Sequence, residues 1–121
     1  MDTMAWTVIF YETEAGESPV WDFIFGLPVK DQAKVVRALD LLEEFGLELR
    51  APYVRSVTGQ RKLWELRVKG VGGAYRILYF AFTGQRMVML HAFAKKTKKT
   101  PRREIAMAEK RMDDFLRRHE P

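Results

Sequence analysis

Residues 62–94 contain three strand-like stretches, 62–69, 74–82 and 86–94, separated only by Gly70-Val71-Gly72-Gly73 and Thr83-Gly84-Gln85. Connections this short cannot hold a crossover, so an antiparallel meander is the simplest pairing and the rest of the chain must be built around it. In 62–69 the side chains alternate, with Trp64, Leu66 and Val68 on one face and Glu65, Arg67 and Lys69 on the other. Along the last stretch and just past it, His91, Phe93 and Lys95 share one side, and Ala92, Ala94 and Lys96 the other.

The flanks supply the covering elements. Residues 6–11 read as a first strand, followed by a polar turn over 12–17. Ser18-Pro19 offers an N-cap and a first-turn proline, and Val20, Phe23, Ile24 and Leu27 recur at helical spacing until Gly26 and Pro28. From Pro28 a longer helix places Val35, Val36, Leu39, Leu42 and Phe45 on one stripe, with Glu43 and Glu44 outside it and Gly46 at the C-terminus. These two helices are expected to form a hairpin. Residues 47–60, with Pro52 and Gly59 and no clear period, read as a surface loop. Thr100-Pro101 repeats the cap-plus-proline signal, and Ile105, Ala108, Met112, Phe115 and Leu116 mark an amphipathic last helix. The expected fold is α/β of the α+β kind: one domain over 1–121, a small mostly antiparallel sheet, helices packed on one face and the other face partly open.

Charge is distributed unevenly over this scaffold. Residues 1–50 hold 4 Lys/Arg against 10 Asp/Glu, and residues 51–121 hold 17 against 6, giving the net +5. Between Ala51 and Lys99 there are eleven basic residues and one acid, Glu65. A surface kept only for solubility would intersperse both signs. A local excess of this kind suits a polyanion, because each cation set against a phosphate releases a condensed counterion.

Several chemistries are excluded on composition. There is no cysteine, and the two histidines, His91 and His119, lie far apart with no carboxylate at ligand spacing. Neither a thiolate site nor a two-metal hydrolytic site can be assembled from these groups, and no metal or cofactor is expected. The lack of cysteine fits a reducing cytoplasm. No apolar run approaches the ~20 residues that span a bilayer, and no secretory leader pattern opens the chain, so a cytoplasmic protein without a membrane partner is expected.

The combination of Lys62-Leu63-Trp64-Glu65-Leu66-Arg67, Tyr75-Arg76-Ile77-Leu78-Tyr79 and the run from Leu90 to Pro101, with Glu104-Ile105 and Ala108, resembles the HigB-type, phage-associated branch of the RelE/ParE toxin superfamily. Ser18-Pro19-Val20, Leu27-Pro28 and the helix end Leu41-Leu42-Glu43-Glu44-Phe45-Gly46 are similar too, so the resemblance covers essentially the whole chain. It implies a RelE-like toxin of a type II toxin–antitoxin pair that cleaves translated mRNA in the ribosome without metal. It also implies a cognate helix-turn-helix antitoxin (HigA-like) and operator DNA bound through the antitoxin complex. RNA can be cleaved by its own 2′-hydroxyl, so a protein need only align it, neutralise the phosphorane and move protons.

The residues offer candidates for those roles. Arg67 and Arg76 occupy matching places in adjacent strands and carry the planar donors that suit a pentacoordinate phosphate; a salt bridge to Glu65 is the structural alternative. His91 is either a proton shuttle or a hydrogen-bonded core residue. Lys95 and Lys96 leave the last strand on opposite faces, where one can hold the 2′-oxygen or the leaving oxygen. Arg55, Arg61, Lys62, Lys69, Lys98 and Lys99 are candidate RNA contacts without sequence choice. His119 has no assigned role. The tyrosine base of the RelE pattern after the lysine cluster has no counterpart, and Tyr75 or Tyr79 can replace it only if the sheet turns it outward. Trp64 and Phe93 are either base-stacking or core aromatics. Two further functions share this scaffold: a ParE-like gyrase inhibitor, which has no need of clustered phosphate ligands, and a catalytically inactive phage-derived nucleic-acid-binding module.

Overall fold

The computed structural model describes residues 5–57 and 62–119. In chain order it contains β1 (Thr7–Phe10), α1 (Pro19–Phe25), α2 (Val29–Phe45), a 3-10 turn at Gly46–Glu48, β2 (Val54–Ser56), β3 (Trp64–Lys69), β4 (Ala74–Phe82), β5 (Arg86–Ala94) and α3 (Arg102–His119). The strands form one sheet in the order β1-β5-β4-β3-β2. The meander β3-β4-β5 is antiparallel, β2 adds antiparallel to β3, and β1 adds parallel to β5.

Strand β2 lies inside the segment expected to be a loop, whose residues 58–60 are outside the described part. It is three residues long, with Val54 buried and Arg55 and Ser56 exposed, which is too short for alternation to register in the sequence.

The faces also differ from expectation. Residues of α1 and α2, among them Val20, Ile24, Val35, Leu39 and Leu42, form one core with Leu66, Val68, Tyr75, Ile77, Tyr79, Met87 and Met89. On the opposite face α3 lays Ala108, Met112 and Phe115 against Leu78, Phe80, Val88 and Leu90. Helices therefore cover both faces. The reason is visible in β4, whose apolar residues run on both sides of the pleat and must be buried on both. A register shift between Leu78 and Tyr79 leaves Tyr79 opposite Met89 and Leu78 opposite His91, so Leu90 is the extra residue of a bulge.

Within α2, Val35, Ala38, Leu39 and Leu42 are buried, but Val36 and Phe45 are 42% and 46% exposed. Val36 sits about 100° round the helix from Val35 and points away from the core. Ser18 does not cap α1 with its side chain; its hydroxyl is buried without a partner among the described residues. Gly46 does end α2, at φ 58°, with its N–H donating to the Leu42 carbonyl. A Cβ at this position would collide with the indole of Trp6.

Two acids that were not among the candidate residues tie the layers together. Asp31, in the first turn of α2, is fully buried and accepts hydrogen bonds from the amides of Val71 (2.6 Å) and Gly72 (2.9 Å) and from the Tyr75 hydroxyl (2.5 Å). The Tyr75 hydroxyl, helped by the two amides and Lys34, holds this carboxyl below its ordinary range against the opposing effect of burial. At the other end of α2, Glu43 accepts from the Trp6 amide through its carbonyl (3.3 Å) and from the Val8 amide through Oε2 (2.9 Å), closing outward amides of edge strand β1. Among the described residues no helix is long and apolar enough to cross a membrane.

Gly46→Ala combines a left-handed backbone with a steric clash, so it is expected to destabilise the fold by roughly 2 to 4 kcal/mol. Urea denaturation followed by tryptophan fluorescence checks this, and an unchanged midpoint would contradict the packing of Trp6 on the α2 terminus.

Candidate nucleic-acid interface

Helix α3 and the segment before it leave one end of the second sheet face uncovered. There a groove of about 920 Å³ opens between the sheet and residues 95–105. Its floor carries Glu65 of β3 and Arg76 of β4, one side carries Arg55 of β2, and the other carries Lys95, Lys96, Lys98 and Lys99.

The two floor residues are buried as a pair. Glu65 is 2% exposed and Arg76 6% exposed, with Arg76 Nε 3.5 Å from Glu65 Oε1. The salt bridge offered by the sequence as an alternative role for Arg76 is therefore present, and Arg76 still lines the groove. Its Nη1 donates to the Tyr75 carbonyl at 3.0 Å. Burial lowers the guanidinium pKa, as do Arg67 and Arg55, while Glu65 raises it. The other Glu65 oxygen, Oε2, accepts the Thr100 hydroxyl at 2.5 Å.

Arg67 lies directly opposite Arg76 in the ladder and is half-buried. It does not line the groove, and its Nε is buried without a partner among the described residues. Lys62 and Lys69 are exposed away from the groove, and Arg61 lies outside the described residues. Arg102 and Arg103 at the start of α3 line the groove as well, although sequence reasoning did not select them. Their place after the Thr100-Pro101 cap signal is what could have revealed them.

His91 sits behind the groove wall with both ring nitrogens engaged. Nε2 lies 2.6 Å from Glu104 Oε1, and Arg111 Nη1 donates to Nδ1 at 3.1 Å. Arginine has no acceptor, so Nδ1 must accept, and Nε2 keeps the ring proton and donates a hydrogen bond to Glu104. This neutral imidazole joins β5 to α3. Burial lowers the His91 pKa, Arg111 adds to that, and Glu104 opposes it.

Neither tyrosine faces the groove. Tyr75 is buried in the α1–α2 core and donates to Asp31, and Tyr79 is buried in the same core, where desolvation pushes its phenol well above the ordinary value. Trp64 packs against that core too, and Phe93 belongs to the core under α3 while reaching the groove wall. His119 stacks on Phe115 far from the groove. Among the described residues no group of three His, Asp or Glu side chains is placed to hold a metal ion.

The family described as Phage derived protein Gp49-like (DUF891) matches residues 22–113. The chain belongs to this family. The Gp49-like match runs from within α1 into α3 and so includes all the groove residues named above. No curated protein matches the chain.

Two predictions follow from the pairs at this end of the Gp49-like fold. A histidine whose folded pKa lies below its ordinary value of 6.5 contributes stability that is fully present above pH 6.5 and is lost as pH falls through the depressed value. His91→Gln should therefore flatten the loss of stability just below pH 6.5, measured by thermal melts from pH 5 to 8. Arg76→Ala leaves a buried carboxylate unpaired and should cost about 3 kcal/mol, whereas adding Glu65→Gln to it should recover a large part of that loss. Additive losses in this double-mutant cycle would show that the two groups do not interact.

Proposed function

We propose that this protein is a HigB-type toxin of a type II toxin–antitoxin pair, a cytoplasmic, ribosome-dependent endoribonuclease that cleaves mRNA through the RNA 2′-hydroxyl. The observation that carries this reading is the groove itself, where Arg55 and Arg76 stand across from Lys95, Lys96, Lys98 and Lys99. Membership of the Gp49-like family and the sequence resemblance support it.

In this reading a single-stranded message lies along the groove with its scissile phosphate toward Arg76 and Arg55. Their guanidinium donors stabilise the charge that develops on the phosphorane, a type of interaction commonly contributing about 3 kcal/mol per donor. Lys95 or Lys96 faces the 2′-oxygen or the leaving oxygen. Lys98 and Lys99, with Arg102 and Arg103, hold neighbouring phosphates and set no base preference. Arg67 adds a second positive charge opposite Arg76 in the adjacent strand without lining the groove. His91, committed to Glu104 and Arg111, keeps α3 in place instead of shuttling a proton. A helix-turn-helix antitoxin would silence the toxin, and the complex of the two would bind operator DNA.

Brief induction in a host lacking the antitoxin should stop growth and produce cuts in translated messages, mapped by primer extension. In a reconstituted translation assay the cut should leave a 2′,3′-cyclic or 3′-phosphate and a 5′-hydroxyl. It should be lost when the target nucleotide is 2′-deoxy, because the attacking oxygen is then missing. A 5′-phosphate on the downstream fragment would overturn the proposed mechanism, and inhibition of supercoiling without RNA cuts would favour a gyrase-directed activity.

A further inference from the structure

Glu65 is the single acid of the eleven-cation block. Glu65 is 2% exposed at the foot of the groove, and the group that reaches it from furthest along the chain is Thr100, 35 residues away. Thr100 closes the segment that carries Lys95, Lys96, Lys98 and Lys99. Four like charges in five residues repel one another and drive such a segment outward into water.

The segment has little else to hold it. At its start the Lys95 amide donates to the Ala74 carbonyl (2.8 Å), continuing the β4–β5 ladder, and at its end Pro101 accepts from the amides of Glu104 and Ile105 as α3 begins. Inside it, Thr97 donates to the Lys99 carbonyl, a bond internal to the segment. Among the described residues, the Thr100 hydroxyl makes the one hydrogen bond that joins residues 96–100 to the sheet. The acceptor is a carboxylate held in turn by Arg76, so the bond is charge-assisted and its position is fixed from below.

We infer that Glu65 and Thr100 form an anchor that holds the lysine segment as the wall of the groove, making both of them positioning residues for a polyanionic strand. Glu65 thus serves both sides of the groove at once. One oxygen orients the floor guanidinium and the other fixes the wall. Threonine is suited to the second role because its hydroxyl donates while its methyl group keeps χ1 restricted next to Pro101. Serine retains the donor, and valine retains the shape and loses it.

The anchor can be tested apart from the RNA reading on which its functional meaning rests. The full-length parent, Thr100→Ser and Thr100→Val are compared in native-state trypsin digestion, with cuts at Lys95, Lys96, Lys98 and Lys99 mapped by mass spectrometry. Amide exchange in β4 and β5 is followed in parallel to monitor the fold. Thr100→Val should be cut in the segment on the order of tenfold faster than the parent, with strand exchange unchanged, and Thr100→Ser should stay near the parent. Affinity for a single-stranded RNA oligonucleotide, read by fluorescence anisotropy, should fall several-fold in Thr100→Val with the salt dependence kept, because the number of cations does not change. Parent-like cutting of Thr100→Val, or equal acceleration in Thr100→Ser, would overturn the anchor. If digestion follows the expected order while neither parent nor Thr100→Ser binds the RNA, the anchor stands and the nucleic-acid reading of the groove falls.

Discussion

Strand β4 is the middle of the sheet, and its residues from Tyr75 to Phe80 are all buried. One of these six is an arginine. A charge placed in a strand that is covered on both sides needs a partner close by. The position directly across in β3 cannot supply it, because Arg67 stands there. The guanidinium instead reaches the diagonal neighbour Glu65, two residues along the same face of β3. That choice fixes much of what surrounds it.

An apolar helix cannot lie over an ion pair without removing its remaining hydration. Helix α3 accordingly packs Ala108, Met112 and Phe115 on the apolar end of this face, over Leu78, Phe80, Val88 and Leu90, and leaves the charged end beside the groove. His91 marks the transition, with its ring held between Glu104 and Arg111 of α3. The opposite face has no charge on its β4 side and is closed by α1 and α2, with Asp31 satisfied by three donors from the β3–β4 region. The groove is thus where a buried charge in the central strand prevented complete coverage.

Much of this was legible in the residue pattern. The meander, the faces of β3 and the side shared by His91 and Phe93 follow from alternation, and the helix end at Gly46 follows from glycine chemistry, whereas Lys95 and Lys96, expected on opposite faces, both line the groove. Strand β2 was not legible, because three residues cannot display a period. The burial of both faces of β4 could have been read from its apolar run Ile77 to Phe82, and with it a role for α3 as a second cover. The bulge at Leu90 left no mark, since it ends the apolar run Met87 to Leu90, where no alternation is present to be interrupted. Of the candidate site, Lys95 to Lys99 and Arg55 come together with Arg76, whereas Lys62 and Lys69 lie elsewhere. The long-range contacts of Asp31, Glu43 and Thr100 were invisible because the partners lie 44, 35 and 35 residues away, and no local spacing encodes a hydrogen bond of that range.

The parallel pairing of β1 with β5 joins residues 7–10 to residues 86–89. During synthesis β1 therefore has no strand partner until residues 86–89 have been made, although α1 and α2 can reach it earlier through Trp21 and Glu43. Pairing the two strands closes a loop of nearly eighty residues. The lysine segment and α3 are synthesised later still. A nascent chain consequently lacks both its second core and its basic wall until α3 has followed β5, so the groove forms only after both elements have left the exit tunnel. In this vectorial order the basic groove matures after the core that α1 and α2 form with the sheet.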